Sequence, residues 1–195
     1  MTVLKNIEMK IFLTKQKLNK HLNLLKNETV MLYNKIELQE KISIQQINTN
    51  KQLSEIDLEF LYNYEIFPNY IMSHYSQWKE ENRKMNIEDT IVQQVYIPPI
   101  QSLSQKIIFG VRINEIINEN NRKGFSYETL NGHVEKGIST FTIEQIENKI
   151  YFKIHTFSKP GNLLSKILGP IFSVPYQAYC TKKAINYVTE QIEKQ

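Results

Sequence analysis

His133 is the residue whose type and setting most invite chemistry. It follows Gly132, and Glu135 stands two positions on, so a nearby carboxylate would orient the ring as a general base. A histidine that satisfies backbone groups in a glycine turn is the other reading of the same residues. Tyr127 and Arg112 extend the candidate catalytic set, as hydrogen-bond donor and anion stabiliser. Arg112 alternates with Phe109, Val111 and Ile113; in a regular strand it points away from them, toward either an anionic ligand group or solvent. The aromatics Tyr96, Tyr127, Phe141, Phe152, Tyr176 and Tyr179 are candidate ligand-binding residues. They suit the wall of an apolar cavity, where tyrosine hydroxyls would orient a ligand, and they equally suit an ordinary core.

Other chemistries fail on spacing. His21, His74, His133 and His155 are scattered and Cys180 is the single cysteine, so no metal site is expected. Gly132 to Gly137 has the glycine spacing of a phosphate-binding loop, but Ile138 stands where the lysine belongs. No nucleophile elbow occurs, and Cys180 on an apolar helical stripe reads as core. No cofactor is implied.

The 195 residues carry a net charge of +4 and a mean hydropathy of -0.41, which excludes a disordered chain and a polytopic membrane protein. Residues 1–51 hold nine Lys against four Glu, and the other 144 hold 15 basic and 16 acidic groups. The basic charge therefore sits in the N-terminal segment, whereas a nucleic-acid-binding core needs the opposite arrangement. With three Arg in all, no nucleic acid is expected as a partner. No apolar run reaches the ~18 residues of a membrane span, so no stable membrane insertion is expected. The Lys-rich first helix would either lie on anionic lipid through Leu18, Leu22 and Leu25 or pack those leucines on protein. A start without a signal-peptide pattern and the lone cysteine point to the cytoplasm.

The elements that must position these residues follow from apolar period. Met9 to Leu13 suits a short strand, and Thr14 caps a helix to about Lys26. Residues 29–47 suit strand or helix, and polar Asn48 to Lys51 marks a boundary between an N-terminal segment, 1–52, and a main domain, 53–195. Leu58 to Ile66 reads as a strand stopped by Pro68, and 69–83 as a helix with Ile71, Tyr75 and Trp78 on one face. Ile91–Ile97, Ile107–Ile117, Gly124–Leu130, Thr140–Ile146 and Ile150–Phe157 read as strands, the last pair joined by a hairpin turn. Leu163–Leu168 is helix-like, and Pro175 is expected to break or kink the path onward. From Tyr176, apolar positions 176, 180, 184, 188 and 192 form a helical stripe. Sequential strands, short turns and a closing helix define an α+β fold, a curved antiparallel sheet wrapped around a long C-terminal helix with an added N-terminal segment.

The run Tyr127-Glu128-Thr129-Leu130-Asn131-Gly132-His133, with Gly137, Phe141, Phe157-Ser158-Lys159-Pro160 and the early Trp78, resembles an uncharacterised family of bacteria and plants, DUF1990. The resemblance covers roughly residues 60–190. The family is similar to START-like, helix-grip proteins, and this implies an apolar cavity between sheet and C-terminal helix. An apolar or amphipathic small molecule is then the expected partner. The alternatives are a cyclase- or hydrolase-type enzyme using His133 in that cavity, and a protein-interaction module with a filled core.

Overall fold

The computed structural model describes residues 10–99, 104–161 and 169–195. Along the chain these form β1 (Lys10–Phe12), α1 (Leu18–Leu25), β2 (Gln39–Ile47), α2 (Glu59–Tyr62), β3 (Met72–Ser76) and α3 (Gln77–Glu80). Then come β4 (Thr90–Ile97), β5 (Gln105–Asn118), β6 (Arg122–Thr129), β7 (Glu135–Ile146), β8 (Lys149–Pro160) and α4 (Gly169–Glu193). The strands build one curved antiparallel sheet in the order β2-β8-β7-β6-β5-β4-β3, with β1 paired to the start of β5. The fold is α+β, with α4 closing the chain as expected.

β4 to β8 are the alternating runs read from the sequence, and each is joined to the next by a close antiparallel connection. The ambiguous stretch 29–47 resolves into a short 3-10 turn, Lys35–Glu37, and the strand β2. Over nine residues β2 pairs with β8, so this part of the N-terminal segment is the sheet's own edge.

Three expectations are corrected. The stretch 58–66 is no strand: Glu59–Tyr62 forms one helical turn and the chain then bends at Tyr64, so that Leu58, Leu61, Tyr64 and Ile66 are all buried, and this packing outweighs the β-propensity of the aromatics. The stretch 69–83 is the edge strand β3 followed by the one-turn α3. Ile71 and Trp78 enter the main core while Tyr75 packs on the opposite cluster, so the supposed helical stripe faces two sides. Finally, α4 runs through Pro175 as one helix from Gly169. Leu163–Leu168 lies outside the described residues.

Each face of the sheet carries a helix. On the convex face, Leu22 and Leu25 of α1 meet Val92, Ile108 and Leu130 in a compact cluster; the leucines available for a lipid surface are thus already packed, at roughly 1.5–3 kcal/mol each. Arg112 holds the end of this helix, its Nη2 donating to the carbonyls of Lys26 at 2.9 Å and Leu25 at 3.3 Å. The larger core lies on the concave face, beneath α4.

Candidate functional site

Antiparallel register arranges the concave face in rows. Phe125, Phe141 and Ile154 stand opposite one another on β6, β7 and β8, forming an apolar row. The neighbouring row is polar: Tyr127 faces Ser139, Ser139 faces Thr156, and Thr156 faces Lys41 of β2. The Ser139 and Thr156 hydroxyls lie 3.2 Å apart. Gly137, next along β7, lets β7 and β8 close at this point, since a Cβ there would stand 1.9 Å from the Phe157 carbonyl oxygen.

Over these rows α4 is seated unevenly. Ala184, Val188 and Ile192 are fully buried in the core, while Tyr176 and Cys180 are half-buried. The Tyr176 hydroxyl donates to the Tyr96 carbonyl at 2.6 Å and pins the near end of the helix. Beneath this half two chambers remain. The inner one, about 150 Å³, has apolar walls from Ile71, Val95, Ile107 and Phe109. The outer one, about 690 Å³, runs along the flank of α4 that faces β2. Phe67, Tyr127, Glu135, Gln177 and Cys180 line both, so the two chambers adjoin along one cleft between sheet and helix.

The inner chamber holds a compact polar group. Gln93 donates to the Tyr64 hydroxyl at 2.5 Å, and the Tyr127 hydroxyl lies beside the polar ends of Tyr64, Ser139 and Gln93. Tyr64 is fully buried with φ +63°, a backbone state uncommon for a bulky residue. Burial pushes both tyrosine hydroxyls above the usual range, so they stay protonated donors.

His133 reaches the chamber because Gly132, at φ 86°, turns the chain after β6. The His133 Nδ1 lies 2.9 Å from both the amide nitrogen and the carbonyl oxygen of Glu135. The backbone therefore engages that nitrogen in either tautomer. The ring packs on Phe109 at 4.1 Å between centroids, and burial lowers its pKa to about 4. Burial also raises the Glu135 carboxyl, partly offset by Lys41.

Of the residues singled out in the sequence, Tyr127, Phe141, Tyr176 and His133 line the cleft. Phe152 faces the same side but is sealed in the core beneath the far half of α4. Tyr96 alternates with the inward-facing Val95 and Ile97; its hydroxyl meets Ser73 and Gln94 on the convex side. Tyr179 is exposed, with Lys183 over its ring. Arg112 serves α1 and does not meet His133. Gln93, Ser139, Thr156 and Lys41 escaped the sequence reading because strand register places them, and Tyr64 escaped it because its run reads as strand. Their signal was parity: Ser139 shares a face with Phe141, and Thr156 with Ile154. Among the described residues no cluster of three potential metal ligands occurs, and no helix is long and apolar enough to cross a membrane.

Fold and cleft together define an α+β protein whose curved antiparallel sheet and C-terminal helix border an open cleft. The chain belongs to the family described as Domain of unknown function (DUF1990), whose pattern matches residues 58–187. A hypothetical protein from Helicobacter pylori, known from a crystal structure, has a similar fold. It is 10% identical, with a TM-score of 0.50 over 78% of this chain and 86% of that one. No curated protein matches the sequence.

Proposed function

We propose that this protein binds an amphipathic small molecule between its sheet and the near half of α4, in the manner of START-like, helix-grip proteins. The observation that carries the reading is the pair of adjoining chambers, about 150 and 690 Å³, with five lining residues in common. An apolar cavity of about 150 Å³ accepts a benzene-sized group, and pockets for larger organic ligands run from about 300 to 1,000 Å³. Tyr127 and Phe141 form the floor and Tyr176 the roof, with Tyr64, Ser139 and Thr156 supplying orientation. The lone Cys180 supports a cytoplasmic setting.

The test is native mass spectrometry of protein purified without detergent, followed by solvent extraction. A co-purifying organic mass is expected, displaced by lipid-like competitors. Cys180→Phe, which fills the wall common to both chambers, removes it. A bare protein mass that also fails to take up those competitors overturns the reading.

Catalysis in the same cavity is a second reading, favoured by one observation: His133 lines the inner chamber, where burial keeps its imidazole neutral with a pKa of about 4. Here Tyr127 is the hydrogen-bond donor and Arg112 has no part. His133→Gln separates the readings: ligand conversion stops while ligand retention persists only if the site is catalytic.

A further inference from the structure

The polar row on the sheet has a direction. It begins at Tyr127 in the wall of the inner chamber and ends at Lys41 on the outer edge. At a strand spacing of ~4.8 Å its ends are roughly 14 Å apart. Across the outer chamber from Lys41, α4 presents Lys182, flanked by Thr181 and Asn186. Lys26, Lys153, Lys159 and Lys194 each have a carboxylate within 4 Å. Lys41 and Lys182 have no carboxylate within 4 Å among the described residues; Lys41 reaches the Gln177 side-chain oxygen at 3.4 Å and acts on the Glu135 carboxyl only through space. Glu135 is the sole carboxyl group among the cleft residues, and it lies at the junction with the inner chamber rather than at the mouth.

Resting on the binding reading above, we infer that the ligand is an amphipathic anion of carboxylate or sulfonate type. It enters with its apolar end in the inner chamber and its charge between Lys41 and Lys182. Oxygen atoms along its length meet the Tyr127, Ser139 and Thr156 hydroxyls. The reverse orientation would set the charge against Glu135 and the apolar walls of Ile107 and Phe109, where an unpaired anion is strongly disfavoured. Neither lysine is held in a close ion pair, so both can receive an anionic group without breaking one, and the open edge at β2 leaves its far side hydrated.

A matched pair of fluorescent probes tests this: anilinonaphthalene sulfonate, and the uncharged phenylnaphthylamine with the same apolar body. The sulfonate probe is expected to bind more tightly. The double variant Lys41→Gln/Lys182→Gln should weaken it by roughly five- to twenty-five-fold, about five-fold per partly screened charge pair, and leave the neutral probe within about two-fold. Added salt should weaken only the sulfonate probe. Equal effects on both probes, or none on either, overturn the inferred charge and orientation while leaving cavity binding intact. Failure of both probes to bind, or binding that survives Cys180→Phe, overturns the cavity reading and the inference with it. Both lysines are solvent-exposed, so the variant folds, which circular dichroism checks.

Discussion

The two halves of α4 carry the same apolar stripe and meet the same sheet, yet one is sealed and the other is not. Ala184, Val188 and Ile192 are fully buried in the core that holds Ile47, Leu53, Ile150 and Phe152. Cys180 and Tyr176, one and two turns earlier, border open space. The cause is in the strands. Beneath the far half, β7 and β8 present Ile143, Ile150 and Phe152; beneath the near half the same strands present Gly137, Ser139, Thr156 and Ser158. Small polar side chains under a helix pinned at both ends leave a volume the helix cannot sink to fill. The far end is held by Gln191 on the Glu65 carbonyl and Glu193 on the Asn48 amide, the near end by Tyr176.

The largest effect that would break this comparison is a truncation in each half. Phe152→Ala, in the sealed half, should cost about 3–5 kcal/mol, because it empties a site whose neighbours are already packed. Cys180→Ala, beside the cleft, should cost less than about 1 kcal/mol, since it removes a single sulfur that on one side already borders open volume. Denaturant unfolding of the two variants checks both values; equal losses would mean that the near half is packed as tightly as the far half.

Much of this contrast was legible before the structure. The stripe at 176, 180, 184, 188 and 192 was written in the spacing, and so were the strands that became β4 to β8, because alternation and helical period are properties of the local sequence. The cleft was less legible because it depends on register. Tyr96 and Tyr127 are both strand tyrosines, yet one neighbour's shift in parity sends Tyr96 to the convex face. Arg112 read correctly as opposite to Phe109 and Ile113, but its partner, the end of α1, lies 86 residues away and leaves no local trace. Tyr64 was hidden for another reason: its run reads as strand by composition, and tertiary packing imposes a helix and a left-handed turn instead.

The open half also predicts an acid sensitivity. Burial lowers the His133 pKa from 6.5 to about 4 in the folded chain, so the unfolded chain binds a proton that the folded one refuses. His133's contribution is therefore fully present above pH ~6.5 and is lost progressively as pH falls toward 4. The loss is about 3 kcal/mol if the site stays dry. His74, also lowered to about 4 by burial, acts in the same sense and window. Glu81, lowered to about 2 by its partners Lys26 and Arg83, keeps its contribution until the pH falls below the usual carboxylate range, and the raised Glu135 opposes the trend. Unfolding free energy measured across this window should fall with acid in the wild type and less steeply in His133→Gln. An unchanged slope would place water against His133, a wetter chamber than its apolar walls indicate.

The smallest expected effect sharpens the comparison most, because it reverses sign between the halves. Ala184→Phe forces a ring into filled space and should destabilise by about 1–3 kcal/mol. Cys180→Phe, one turn earlier on the same stripe, places the same ring where Tyr127, Phe67 and Gln177 already border open volume, and should stabilise by about 1 kcal/mol. Thermal unfolding of the two variants side by side reads this directly. A natural core that gains stability when filled has kept its vacancy against the usual advantage of packing. That gain, together with loss of probe binding in the same variant, would tie the small residues of β7 and β8 to ligand capture. If Cys180→Phe instead destabilises as much as Ala184→Phe, the near half of α4 sits closer to the sheet in solution, and the cleft is too shallow to hold the apolar end of a ligand.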